Sequence, residues 1–156
     1  MKTFSSLLEG PGPLGEQQSA ASELFPSMLA QSTLRYWSPS MPFSLQGERL
    51  LIGVVTWSIL DLKLLDCLQE TISIAGRATV IDVFDADRCR TQEGFADYIP
   101  GIGKVHQTPA VGFWRDGEIV LSAWGFAGRQ LLKEIGLVPQ SFERDVEQLR
   151  GLADSP

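Results

Sequence analysis

The chain is poor in the residues on which most redox, metal and nucleic-acid chemistry relies. Its 156 residues hold two cysteines, Cys67 and Cys89, and a single histidine, His106. Two cysteines cannot build a disulfide scaffold and one histidine cannot build a histidine-rich metal site, so neither a metal nor another cofactor is expected. Positive charge is scarce too: 13 Lys and Arg stand against 19 Asp and Glu, a formal charge of −6, with the basic residues scattered. A nucleic-acid partner needs a dense basic face to displace counterions from phosphates, and this balance argues against one. Long apolar runs are also missing. The longest, Leu50 to Leu60, falls short of the ~20 residues that cross a bilayer. Glu9 interrupts the apolar start before signal-peptide length. A reduced cytoplasm is therefore the expected location, with the cysteines as free thiols.

What remains is the composition of a globular domain, 44% hydrophobic and 21% charged, at a length that suits one core. Residues 1–45 read as an N-terminal extension, partly helical and partly mobile. Pro11-Gly12-Pro13 and Gly15 break regular structure, and mobility is expected over the first fifteen residues. A helix is expected from Ser22, because Pro26 is tolerated only near a first turn.

Residues 46–138 read as the core domain. Leu50-Leu51-Ile52-Gly53-Val54-Val55-Thr56-Trp57 is an unbroken apolar run rich in β-branched residues, the pattern of a strand buried on both faces. Leu60, Leu64, Leu65, Leu68 and Ile72 follow at helical spacing up to Gly76, and Ala78 to Phe84 is a second buried strand. Thr91 to Tyr98 reads as a short helix. Arg115-Asp116-Gly117 joins two further strand runs, 110–114 and 118–124; Asp-Gly tolerates positive φ and marks a hairpin. A helix from Gln130 to Ile135 closes the domain. Residues 139–156 read as an amphipathic helix, Ser141 to Leu152, and a tail. Strands joined through a helix run parallel while the hairpin is antiparallel, so the fold class is α/β with a central mixed sheet flanked by helices.

This order, with three local signatures, resembles the thioredoxin fold over roughly residues 48–136. A buried strand ends in Trp57 and enters a helix at Ser58. Thr108-Pro109 stands directly before a strand, where that family carries a cis-proline. Phe113-Trp114-Arg115-Asp116-Gly117-Glu118-Ile119-Val120, then Gly125 and a closing helix, is similar to the family's Phe-x-x-Gly-Glu hairpin and C-terminal helix. The resemblance implies Cys-x-x-Cys at the start of the first core helix, where the positive helix end makes a reactive thiolate. Here Trp57 is followed by Ser58-Ile59-Leu60-Asp61. Neither position carries sulfur, and disulfide exchange by that motif is excluded. No catalytic residue is assigned. Ser58 reads instead as a helix N-cap with Asp61 in the first turn.

Other candidates have bland readings. Cys67 lies beside the apolar stripe of its helix, as a core thiol would. Cys89, between Arg88 and Arg90, is the better candidate for a reactive thiol, though an incidental surface thiol is the preferred account. Asp82, Asp85 and Asp87 lack calcium-loop spacing, Gly101-Ile102-Gly103-Lys104 lacks the full phosphate-loop pattern, and His106 reads as a solvent-facing loop residue.

What the resemblance leaves is a binding surface. In that family the Trp beside the helix start and the backbone before the cis-proline form a groove for extended polypeptide. The matching candidates are Trp57, Ser58, Asp61, Thr108 and Pro109. The Thr108 backbone is placed for strand addition and Trp57 for an apolar anchor. Two fates stay open for Trp57, since an extension with Tyr36, Trp37 and Phe43 has the aromatic surface to cover it.

The expected function is therefore a redox-inactive thioredoxin-like accessory or chaperone-like factor that binds protein. A weaker resemblance points to hydrogenase-expression accessory proteins, through size, the missing Cys-x-x-Cys, a phenylalanine in the N-terminal helix and Pro109-Ala110-Val111-Gly112-Phe113. It implies a hydrogenase precursor and its basic export signal as partner, which an acidic surface suits. The competing expectations are a thiol-dependent redox protein or sensor using Cys89, with or without Cys67, and a structural subunit that docks through helix 141–152.

Overall fold

A computed structural model of the chain describes residues 3–8, 14–37, 46–75, 80–86 and 107–147. The apolar run at its centre forms β2 (Glu48–Val54), whose last five residues are buried. Helix α2 (Ile59–Ala75) carries the chain to β3 (Val80–Asp85). The two strands pair in parallel, with Leu51 opposite Asp82 and Ile52 opposite Val83. On the other side of β2, β4 (Ala110–Arg115) runs antiparallel with Ile52 opposite Val111, and β5 (Glu118–Trp124) runs antiparallel to β4. Asp116 and Gly117 turn this hairpin at φ 51 and 87, the positive values that a two-residue loop requires.

A short strand β1 (Arg35–Tyr36) pairs in parallel with the outer side of β3, completing the order β1-β3-β2-β4-β5. It lies within the segment read as an extension, and nothing in two residues signals a strand. Its register sets Arg35 opposite Asp82. The buried Asp82 carboxylate meets Arg35 at 3.3 Å and Arg49 at 3.1 Å. Burial pushes this carboxyl up, against the pull of the two guanidinium groups.

Strand alternation divides the core into two faces. On one face Leu50, Ile52, Val54, Ile81, Val83 and Val111 meet Leu62, Leu65 and Leu68 of α2 and the helices on either side. On the other, Leu51, Val55, Phe84, Ala110 and Trp114 gather with Trp37. Gly53 keeps the second face flat, since a Cβ there would stand 2.5 Å from the Phe84 ring.

Two sequence expectations change. Helix α1 (Leu14–Ala30) begins well before Ser22 and holds Pro26 in its interior. Such a proline costs roughly 3 kcal/mol, and burial of Ala21, Phe25 and Leu29 offsets it. Within the first fifteen residues, Phe4–Leu8 is a 3-10 turn whose Phe4 ring is 1% exposed and packs edge-on against Phe25. Asp66 of α2 fastens it, accepting the backbone N–H of Phe4 at 2.6 Å and of Ser5 at 3.2 Å. Helix α3 (Gly125–Glu134) begins five residues before Gln130. Gly128 serves close approach, since a Cβ there would meet the Pro109 carbonyl at 2.8 Å.

The end of α3 behaves as its glycine predicts. Gly136 adopts φ 79, and its N–H bonds the Lys133 carbonyl while Leu137 N–H bonds the Leu132 carbonyl, the paired geometry of a Schellman stop. Residues 142–147 are then helical, with Phe142 and Val146 in the main core. The rest of the expected helix, 148–152, lies outside the described residues, as does the helix expected over 91–98.

Truncation of a fully buried phenylalanine removes both transfer energy and packing. The Phe4→Ala variant is expected to lose about 3 kcal/mol in urea denaturation of the full chain. A loss of a few tenths would show that the first turn is not docked.

Candidate functional site

Ser58 sets the start of α2. Its Oγ accepts the Asp61 N–H at 3.3 Å and its carbonyl accepts the Leu62 N–H at 3.1 Å, the two bonds of an N-cap. The hydroxyl lone pair is thereby engaged with the helix backbone.

Asp61 does more than decorate the first turn. The residue is 1% exposed. Its Oδ2 accepts the Val55 N–H at the end of β2, at 3.1 Å. The carboxylate also takes a hydrogen bond from the Thr108 side chain and lies within electrostatic reach of Arg129 on α3. Burial is the largest influence and pushes its carboxyl up; the Thr108 and Val55 bonds and the Arg129 charge pull the other way without cancelling it. One carboxyl thus ties together a strand end, a helix start and the loop across from them.

That loop carries the Thr108–Pro109 peptide in the cis form. The Pro109 carbonyl accepts the Gly125 N–H at 2.9 Å, which fixes the start of α3 beside it. Around this junction stand exposed aromatic side chains: Trp57 at 53%, Phe126 at 59% and, less open, Trp124. The Arg129 guanidinium lies 5.7 Å from the centre of the Phe126 ring, a cation–π distance.

The structure therefore brings Ser58, Asp61, Thr108 and Pro109 together, with Trp57 adjoining and half open. Of the aromatics read as a cover for Trp57, Trp37 packs edge-on against Phe84 at 5.8 Å and Tyr36 lies against the main core. Phe43, Cys89, His106 and 101–104 lie outside the described residues. Nothing in the spacing singled out Phe126 and Arg129. The signal available was an exposed aromatic one helical turn before a basic residue, in a segment that its glycines made look like loop.

Cys67 is half-buried in α2. Burial, then the negative charges of Glu70, Asp66 and Asp145, push its thiol up to about 11. It is protonated at neutral pH and makes a poor nucleophile.

No family model matches the chain, and no curated protein matches it in sequence. Solved structures of similar chain path do exist. The germline-specific thioredoxin Deadhead of Drosophila is 17% identical, with 57% of this chain and 78% of that one covered and a TM-score of 0.43. ERdj5 in crystal form II is 17% identical over 81% of this chain and 16% of its own, at 0.49. A single-site mutant of a Halobacterium salinarum thioredoxin is 20% identical over 64% of this chain and 90% of its own, at 0.40. The fold itself is α/β, a five-stranded mixed sheet flanked by helices. What the pair at 58 and 61 does in this chain is read from its own oxygens.

Asp61 sets a pH dependence. A native carboxyl held above its unfolded value keeps a proton that the unfolded chain has already lost, so its contribution falls as pH rises through that window, starting near 3.8. Asp82 acts in the same sense. Glu143, held low, acts oppositely and contributes stability that is lost as pH falls. The Asp61→Asn difference isolates one of the three. The variant is expected to be more stable than the parent at pH 7–8 and to lose that advantage as pH approaches 4, measured by urea denaturation across pH. An advantage that does not change with pH would contradict this.

Proposed function

We propose that this chain is a non-catalytic, thioredoxin-fold accessory factor that holds an extended segment of a client protein between Trp57 and the Thr108–Pro109 loop. The observation that carries the reading is the half-open indole of Trp57 beside a cis Thr108–Pro109 loop fastened from below by buried Asp61. The groove is supported by oxygen and nitrogen where a redox relative would place sulfur. Ser58 is spent on capping and Asp61 on structure, so the pair supplies rigidity in place of electron transfer.

A preorganised groove lowers the ordering cost of binding. The backbone at Thr108 offers strand-type pairing and Trp57 offers the large apolar surface typical of interface anchors. Phe126 extends that apolar surface. With a formal charge of −6, the chain suits a basic client, and the likeness to hydrogenase-expression accessory proteins makes the export signal of a hydrogenase precursor the client of choice. The thiol-dependent alternative keeps Cys89, with or without Cys67; burial, which pushes the Cys67 thiol up to about 11, favours Cys89 within it.

The test is binding of a fluorescein-labelled basic export-signal peptide, followed by anisotropy. Trp57→Ala should weaken binding by about 30-fold, the loss typical of a central aromatic anchor. Replacing both cysteines by serine should leave affinity unchanged with or without reductant. Equal affinity for parent and Trp57→Ala, or loss of binding in the cysteine-free variant, would overturn the reading.

A further inference from the structure

The sheet ends at β5, and among the described residues that strand pairs with β4 alone. The ladder fixes which way its backbone groups point. Gly125 N–H bonds the Pro109 carbonyl at 2.9 Å, and opposed residues of an antiparallel pair alternate between bonded and unbonded. Leu121 and Ala123 therefore bond across to Phe113 and Val111, while Ser122, opposite Gly112, turns its N–H and carbonyl to the open side. The side chains do little to guard this edge. Ile119 to Trp124 carries no charge, and Val120 and Leu121 are 47% and 42% exposed. Edge strands are commonly blunted by a charge, lysine above all. Here the protection is one bulge: Leu121 faces Phe113 and Ile119 faces Trp114, so Val120 is the extra residue and the regular edge runs from there to the strand end.

We propose that β5 pairs antiparallel with β5 of a second copy of this chain, about a twofold axis at Ser122. The two Ser122 residues then exchange N–H to carbonyl bonds, as a closed, isologous contact requires. Leu121 of each copy lies opposite Ala123 of the other, and Val120 opposite Trp124. Apolar side chains that stand exposed at the edge cover one another, and two five-stranded sheets become one. The inference goes beyond the peptide-binding reading and does not rest on it.

Charge favours this occupant and this register. Two copies of a chain with a formal charge of −6 repel, so they meet where acids are absent or answered. Residues 119–124 have none. Glu118, exposed at the start of the strand, is carried by the antiparallel register toward the first turn of the other copy's α3. That turn holds no acidic residue, and Trp124 at its N-cap makes no side-chain capping bond. An acid placed there meets the positive end of the helix, and the twofold makes the contact twice. The paired stretch is short, so the dimer is a weak one, with Kd on the order of 100 µM.

The experiment is sedimentation velocity of the full chain, without peptide, from about 10 to about 500 µM around that Kd. The average mass should rise from one copy toward two. Val120→Lys sets an ammonium on each side of the junction and should weaken the dimer at least about tenfold. Leu24→Lys, at an exposed leucine on α1, should leave it unchanged. Amide exchange reads the register itself. The Ser122 N–H should slow about threefold between the dilute and the concentrated sample, while the Leu121 N–H, bonded to β4, stays slow in both. A single copy at every concentration would overturn the proposal. A dimer unmoved by Val120→Lys, or one that leaves Ser122 exchange independent of concentration, would place the contact on another face and overturn it equally. Should Val120→Lys fail to fold, the exchange measurement on the parent chain decides alone.

Discussion

The organisation of this chain turns on a carboxyl group taken almost wholly out of water. Among the described residues Asp61 has no ion pair of its own in contact; it is sustained by the Val55 N–H, the Thr108 hydroxyl and the field of Arg129. Burying a carboxyl is costly unless hydrogen bonds replace its hydration, so wherever Asp61 goes, those three partners must follow. The end of β2, the start of α2, the cis loop and α3 meet because of that demand. The exposed Trp57 and Phe126 side chains sit on a base that one polar contact set has fixed.

This changes the meaning of the missing sulfur. At the start of α2, where the sequence has Ser58 and Asp61, the chain has a cap and a pin. Both are structural uses of polar atoms, and both hold the surface in shape. Redox chemistry needs an attacking atom exposed at the helix start. Here the cap and the buried carboxyl adjoin the exposed Trp57 side chain.

The parts legible in the sequence were those governed by local chemistry. The β-branched runs gave the two central strands, Asp116-Gly117 gave the hairpin, Gly136 gave the stop of α3, and the Ser58 to Asp61 spacing gave the cap. The parts that were not legible depend on distant partners. Arg35–Tyr36 is a strand only because β3 offers it an edge. The first half of α1 is obscured by Pro26, whose cost is met by packing elsewhere in the chain. Gly125 and Gly128 precede the helix expected from Gln130, whereas Gly128 lets α3 press against Pro109 and Gly125 leaves room for the Gln107 side chain. At the site, the residue types at 57, 58, 61, 108 and 109 could be named in advance. The depth of Asp61 could not, because it depends on how β2, α2 and the Thr108 loop face one another.

The central claim is that the chain binds extended polypeptide with the surface around Trp57 and Thr108 and without sulfur. The most direct measurement is an amide and indole chemical-shift map of the full chain with both cysteines replaced by serine, titrated with the basic export-signal peptide. Shifts centred on the Trp57 indole, Thr108 and Phe126 are the predicted result. Shifts confined to another face, or none until the cysteines are restored, would contradict the account.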